Sequence, residues 1–149
     1  MELNKEKIIE YQKNRDPYLM IDYASEVIPG KSAKGYKILK FDEWFFKCHW
    51  EGDPNMPGML QIEAMVQLGA LMVLTLPGYK GKAMYLASAD KLKFKKKILP
   101  GQKLYLETSL DSWKRGIAKC HGKGIVENKL VCSASFVITE PSTLSKFSI

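Results

Sequence analysis

Apolar residues fill almost every position from Met59 to Leu76, whereas the C-terminal half alternates apolar and polar side chains with a period near two. The first pattern is that of a buried helix, and the second is that of half-buried strands. Ala83 to Ile98, Gln102 to Trp113, Ile117 to Val126 and Leu130 to Ile138 read as strands. Turns fall at Pro100-Gly101, Arg115-Gly116 and Glu127-Asn128-Lys129, so the strands are expected to form consecutive antiparallel hairpins.

Before the long helix, Ile8, Ile9 and Tyr11 give a short amphipathic helix near Lys5 to Gln12, within residues 1–13, which Asn14 to Pro17 ends. Tyr18 to Val27 and Gly35 to Phe41 read as strands joined around Pro29-Gly30. The stretch from Gly52 to Gly58 is too rich in Pro and Gly to continue a helix or a central strand, so it is a shaped loop. One apolar helix followed by antiparallel strands must bury itself against the concave face of a curled sheet. The expected fold is therefore α+β, a hot-dog fold with a long central helix wrapped by a curled antiparallel β-sheet. The 149 residues fit one domain, 1–149, with a C-terminal tail over 141–149.

Composition excludes several classes. Hydrophobic content of 46% with 26% charged residues is ordinary for a globular chain. Three cysteines without CxxC spacing argue against a disulfide framework or a zinc ribbon, and no metal ligand set or cofactor motif is present. The charged start lacks a signal-peptide core, so a reducing cytoplasm is the expected location. Met59 to Leu76 carries Gln61, Glu63 and Gln67 and is barely long enough to span a bilayer, so it reads as a core helix. The net charge of +7 is spread along the chain without a nucleic-acid motif. Its one dense run, Lys91 to Lys97, places Leu92 and Phe94 between lysines, as in a half-buried strand with a basic outer face. That face is either a solvated surface or a dock for an acidic protein.

Two groups demand a chemical reason: His49, at the entrance to the Pro/Gly loop, and Glu63, inside the apolar helix. Imidazole titrates near neutrality and suits a general base, while a desolvated carboxyl keeps its proton and suits a general acid. Gln67 stands at i+4 from Glu63 and can orient it. Gly58 lies at the helix N-terminus, where backbone N–H groups meet developing negative charge. Each also has a plain structural reading, His49 as a loop histidine above all. His121 has no acidic neighbour in sequence and reads as structural. Cys48 adjoins His49, but on an extended segment the two would point apart, so a thiol-imidazole pair is not expected. Cys120, Cys132, Met59, Met65 and Met72 read as core filler.

The run Phe45 to Gly58, with its His49-Trp50-Glu51-Gly52-Asp53-Pro54-Asn55-Met56-Pro57-Gly58 core, followed by Ile62-Glu63-Ala64-Met65-Val66-Gln67, resembles the β-hydroxyacyl-acyl carrier protein dehydratase family. Arg15-Asp16-Pro17-Tyr18-Leu19-Met20-Ile21-Asp22, and Asp90-Lys91 with Phe94 and Pro100-Gly101, resemble two further segments of that family. The resemblance implies dehydration of a (3R)-hydroxyacyl thioester to the trans-2-enoyl thioester, with His49 as base, Glu63 as acid and Gly58 as thioester-oxygen donor. It implies an acyl tunnel, for which Phe46, Trp50, Met65 and Phe94 are candidates. It implies an acyl carrier protein as partner, docking on Lys93, Lys95, Lys96 and Lys97. It also implies a homodimer with interfacial sites, often a trimer of dimers.

Glutamate at the acid position resembles members that only dehydrate, whereas Gly52-Asp53-Pro54 and Met56-Pro57-Gly58 are closer to members that also isomerise the double bond. Two alternatives stay open: a hot-dog acyl thioesterase, and a non-catalytic carrier-binding subunit.

Overall fold

The computed structural model describes residues 1–146, and positions 147–149 of the expected tail lie outside the described residues. Strand β1 (Leu3–Asn4) precedes helix α1 (Lys5–Tyr11), followed by β2 (Tyr23–Ile28) and β3 (Ser32–Ile38). Helices α2 (Trp44–Cys48) and α3 (Gly58–Leu74) come next. The chain closes with β4 (Tyr85–Phe94), β5 (Lys103–Lys114), β6 (Ile117–Val126), β7 (Lys129–Thr139) and α4 (Pro141–Leu144). One antiparallel sheet of seven strands, in the order β1-β2-β3-β5-β6-β7-β4, wraps α3, which is the α+β hot-dog arrangement.

Helix α3 buries Ile62, Met65, Leu68, Leu71 and Met72 completely and packs on β3, β5, β6 and β7. Gly69 allows the close approach, since a Cβ there would stand 2.8 Å from the Phe136 ring on β7. Strand β6 alternates cleanly, with Ala118, Cys120, Gly122, Gly124 and Val126 turned to the helix and His121 and Lys123 turned outward.

Four expectations are corrected. Residues Leu19, Met20 and Ile21 are buried but not in a strand, because the Met20 N–H bonds the Gln67 side chain at 2.8 Å instead of a neighbouring strand. Met59, expected as core filler, is 64% exposed, because it stands in the first turn of α3. β4 is no hairpin partner of β5: it pairs with β7 at the opposite edge of the sheet, and β5 pairs with β3. Within β4, register shifts and a Lys91 φ of 54° break the alternation expected of the lysine run, so Leu92 packs inward while Phe94 is 45% exposed. The strand ends at Phe94, leaving Lys95, Lys96 and Lys97 in the following loop.

The segments flanking the site are tied down by polar contacts. Arg15 closes the end of α1, its guanidinium donating to the carbonyls of Gln12 at 2.7 Å and Ile9 at 3.0 Å. Lys37, almost buried, pairs with Glu43 at 2.9 Å and Asp22 at 3.6 Å, joining β3 to the start of α2.

Candidate active site

His49 is the C-cap of α2, its N–H donating to the Phe45 carbonyl at 3.0 Å. Phe45 and Phe46 sink into the core beneath it, and the Trp44 indole donates to the Pro17 carbonyl at 3.2 Å, so α2 is anchored on both sides. Cys48 is helical rather than extended, and its thiol turns back to the Trp44 carbonyl at 3.5 Å, away from any role with His49.

The Pro/Gly loop then folds over the imidazole. Met56 is buried and its N–H donates to the Ile98 carbonyl at 2.8 Å, while Lys97 pairs with Asp53 at 3.0 Å. These ties hold the Asn55 carbonyl 3.0 Å from His49 Nδ1. A carbonyl oxygen only accepts, so Nδ1 carries a hydrogen and Nε2 is the nitrogen left for a substrate proton.

Glu63 is half-buried on α3. Burial raises its carboxyl pKa above the ordinary 4.5, and a hydrogen bond from Gln67 offsets part of that rise. Gln67 is itself fully engaged: Nε2 donates to Glu63 Oε1 at 3.0 Å and to the Tyr18 carbonyl at 2.9 Å, while Oε1 accepts the Met20 N–H at 2.8 Å. Burial, and then the nearby Glu63 charge, raise the pKa of the Tyr18 hydroxyl.

Gly58 begins α3 after Pro57, with no side chain capping the terminus, so its first N–H groups are free of the usual cap. The Phe94 ring lies over this glycine, 2.9 Å from where a Cβ would stand. A cavity of about 380 Å³ opens here, lined by Asn55, Gly58, Gln61, Phe94 and Lys95, Lys96 and Lys97.

The structure brings Glu63 together with Gln67, and Gly58 with Phe94. No hydrogen bond joins His49 to Glu63 among the described residues. Of the tunnel candidates, Phe46 and Met65 are core residues, whereas Trp50 is 61% exposed with its ring 5.8 Å from that of His49. The lysine cluster divides. Lys93 lines a separate groove of about 510 Å³ on the outer sheet face, beside Lys34, His121 and Ser135, which shares no residue with the cavity at Gly58. His121 does have an acidic neighbour: Asp111, in the bulge of β5, lies 2.8 Å from its Nδ1.

Sequence reasoning missed Tyr18, assigned to a strand, and Asn55, which contributes a backbone carbonyl that no residue type announces. It also passed over Gln61, whose only signal was a polar side chain in an apolar helix.

Fold and site together define a hot-dog protein with an imidazole at the end of α2 and a half-buried carboxyl on α3. Among solved structures, a chain of the dehydratase heterocomplex ApeI:P from Xenorhabdus doucetiae superposes with a TM-score of 0.78 at 12% identity, covering 90% of each chain. The TT0310 protein from Thermus thermophilus gives 0.64 at 16% identity over 85% of this chain and 99% of that one. Sequence reaches further. The family model described as FabA-like domain matches residues 13–135. A 3-hydroxyacyl-[acyl-carrier-protein] dehydratase FabZ from Syntrophomonas wolfei is 39% identical over 92% of this chain and 95% of its own length. Its counterpart from Alkaliphilus metalliredigens is 40% identical over 96% and 99%. The chain belongs to the FabA-like family.

Proposed function

We propose that this protein removes water from a (3R)-hydroxyacyl thioester carried on acyl carrier protein, giving the trans-2-enoyl thioester in fatty acid or related acyl-chain biosynthesis. The observation that carries the reading is a pair of groups set by their surroundings: His49, whose Nδ1 is bound to the Asn55 carbonyl so that Nε2 is the nitrogen left to face a substrate, and Glu63, whose carboxyl pKa burial raises. Nε2 takes the α-proton, and the charge that gathers on the thioester oxygen is met by the Gly58 N–H and the α3 dipole. Glu63 protonates the departing hydroxyl, the C–O bond breaks, and the former C–H electron pair becomes the C=C bond. Every step is a proton transfer or an elimination, for which neither metal nor cofactor is required.

A second copy completes the site in this reading. Glu63 shares an α3 face with Met59, which is 64% exposed, and β4 presents Tyr85 and Leu86 at its free edge. Two copies meeting along these surfaces cover them and set His49 of one protomer against Glu63 of the partner subunit. A trimer of such dimers is the further assembly that the family suggests. Lys95, Lys96 and Lys97 at the cavity mouth, with Lys93 on the neighbouring face, supply positive charge to steer an acidic carrier protein. A cytoplasmic location suits such a partner. Among the described residues no helix is long and apolar enough to cross a membrane.

The test is the near-ultraviolet absorbance of β-hydroxybutyryl-carrier protein incubated with wild type and with His49→Ala. Absorbance growing only with wild type is the expected result. Thiol release without enoyl product moves the function to a thioesterase, and neither product with any chain length moves it to a non-catalytic binder.

A further inference from the structure

The cavity at the α3 N-terminus is lined by Gln61, whose buried side-chain acceptor the proton chemistry leaves unused. Gln61 is 3% exposed, and its Nε2 donates to the Met56 carbonyl at 3.0 Å, which fixes the orientation of the carboxamide. Its Oε1 is buried and has no hydrogen-bond partner among the described residues. A buried acceptor left in that state is costly, so a ligand that brings a donor gains from meeting it.

We infer that Gln61 Oε1 receives an amide N–H of the pantetheine-like arm that carries the acyl group, making Gln61 a specificity-determining residue. This rests on the dehydratase reading above. An oxygen acceptor repels phosphate, so anionic groups go to Lys95, Lys96 and Lys97 at the same cavity, and Oε1 is left for a neutral donor. The substrate offers two kinds, the β-hydroxyl and the arm's amides. The β-hydroxyl belongs beside Glu63, and residues 61 and 63 are separated by about 200° around the helix, so that hydroxyl does not reach Gln61. The amide does. Gln61 and Gly58 line the same cavity, and the Gln61 carboxamide turns back toward the start of α3, where its Nε2 meets the Met56 carbonyl. The nearest amide nitrogen of the arm lies four bonds from the thioester carbonyl carbon, short enough to stay within that cavity. A thioester oxygen at the Gly58 N–H thus sets that N–H opposite Gln61 once the half-exposed Phe94 ring swings aside.

The experiment compares two small 3-hydroxybutyryl thioesters: that of N-acetylcysteamine, which has the amide N–H, and its O-acetyl mercaptoethanol counterpart, in which an ester oxygen replaces it. Wild type is expected to favour the amide by about tenfold in kcat/KM, carried mainly by KM. Gln61→Met, which keeps side-chain length and removes the acceptor, is expected to lose the preference. An N-methyl amide tested on wild type keeps the proposal falsifiable even if the variant misfolds, since it too must fall to the level of the ester, and an amide preference that survives in Gln61→Met overturns the role of Gln61. Equal rates on all three thioesters overturn the role of Gln61 and leave the dehydratase reading intact. Absence of enoyl product from these and from the carrier-linked substrate overturns both.

Discussion

Replacing Gln67 by leucine removes one side chain that serves three groups at once. The Met20 N–H, fully buried, loses its only acceptor among the described residues, which costs about 1–3 kcal/mol. The Tyr18 carbonyl and the Glu63 carboxyl each lose a donor, and their partial exposure keeps that part to about 1 kcal/mol in all. A loss of about 2–4 kcal/mol leaves a typical domain folded but lowers the melting midpoint by about 5–15 °C. The pH dependence separates this loss from simple loosening. In the folded chain Glu63 keeps its proton above the ordinary 4.5. In the window between the unfolded and folded values the unfolded chain therefore binds fewer protons, and stability falls as pH rises. Without Gln67 the folded pKa climbs further, so that decline extends to higher pH, and the alkaline limb of the turnover profile shifts the same way if Glu63 is the acid. Thermal melts across pH, alongside enoyl absorbance, read both effects. A midpoint lowered by less than about 2 °C, or an alkaline limb that stays in place, refutes the role given to Gln67.

Glu63→Gln is expected to keep the fold and the bond to residue 67 while losing most turnover, and to be at least as stable as wild type at neutral pH, the difference vanishing below pH 4.5; urea melts at two pH values check it. Lys95→Glu combined with Lys96→Glu should slow carrier-linked substrate far more than a short thioester, and more so at low salt; equal losses on both remove the docking idea. Gly69→Ala drives a methyl into the Phe136 ring, and the expected destabilisation of about 1–3 kcal/mol, partly offset by better helix propensity, is measured by denaturant unfolding with activity per folded molecule unchanged.

What the sequence reveals here follows the range of the interactions involved. β6 is read correctly from Ile117 to Val126 because Arg115-Gly116 and Glu127-Asn128, all at positive φ, punctuate both ends. The long helix and the Glu63–Gln67 contact are local, set by period and by i+4 spacing. The place of β4 is not local: its partner lies on the last strand of the sheet, and hairpin logic assigns it to the wrong neighbour. Asp111 meets His121 only because β5 is bulged, and Met20 leaves strand geometry only because Gln67 accepts its N–H. Those contacts arise from pairing and packing that no single segment encodes. His49 and Gly58 were singled out by residue chemistry and motif, but the Asn55 carbonyl that sets the tautomer has no side-chain signature.

The distribution of thiols offers a practical handle. Cys120 and Cys132 are buried, and desolvation pushes both up to about 12, so neither forms thiolate at working pH. Cys48 is exposed and stands one residue from His49. A mild alkylating fluorophore or a trifluoromethyl tag therefore modifies a single defined spot without any mutation, giving a native reporter on α2, next in sequence to His49. The same asymmetry leaves Cys48 as the thiol open to oxidants, next to the start of the Pro/Gly loop, while the two core thiols are shielded.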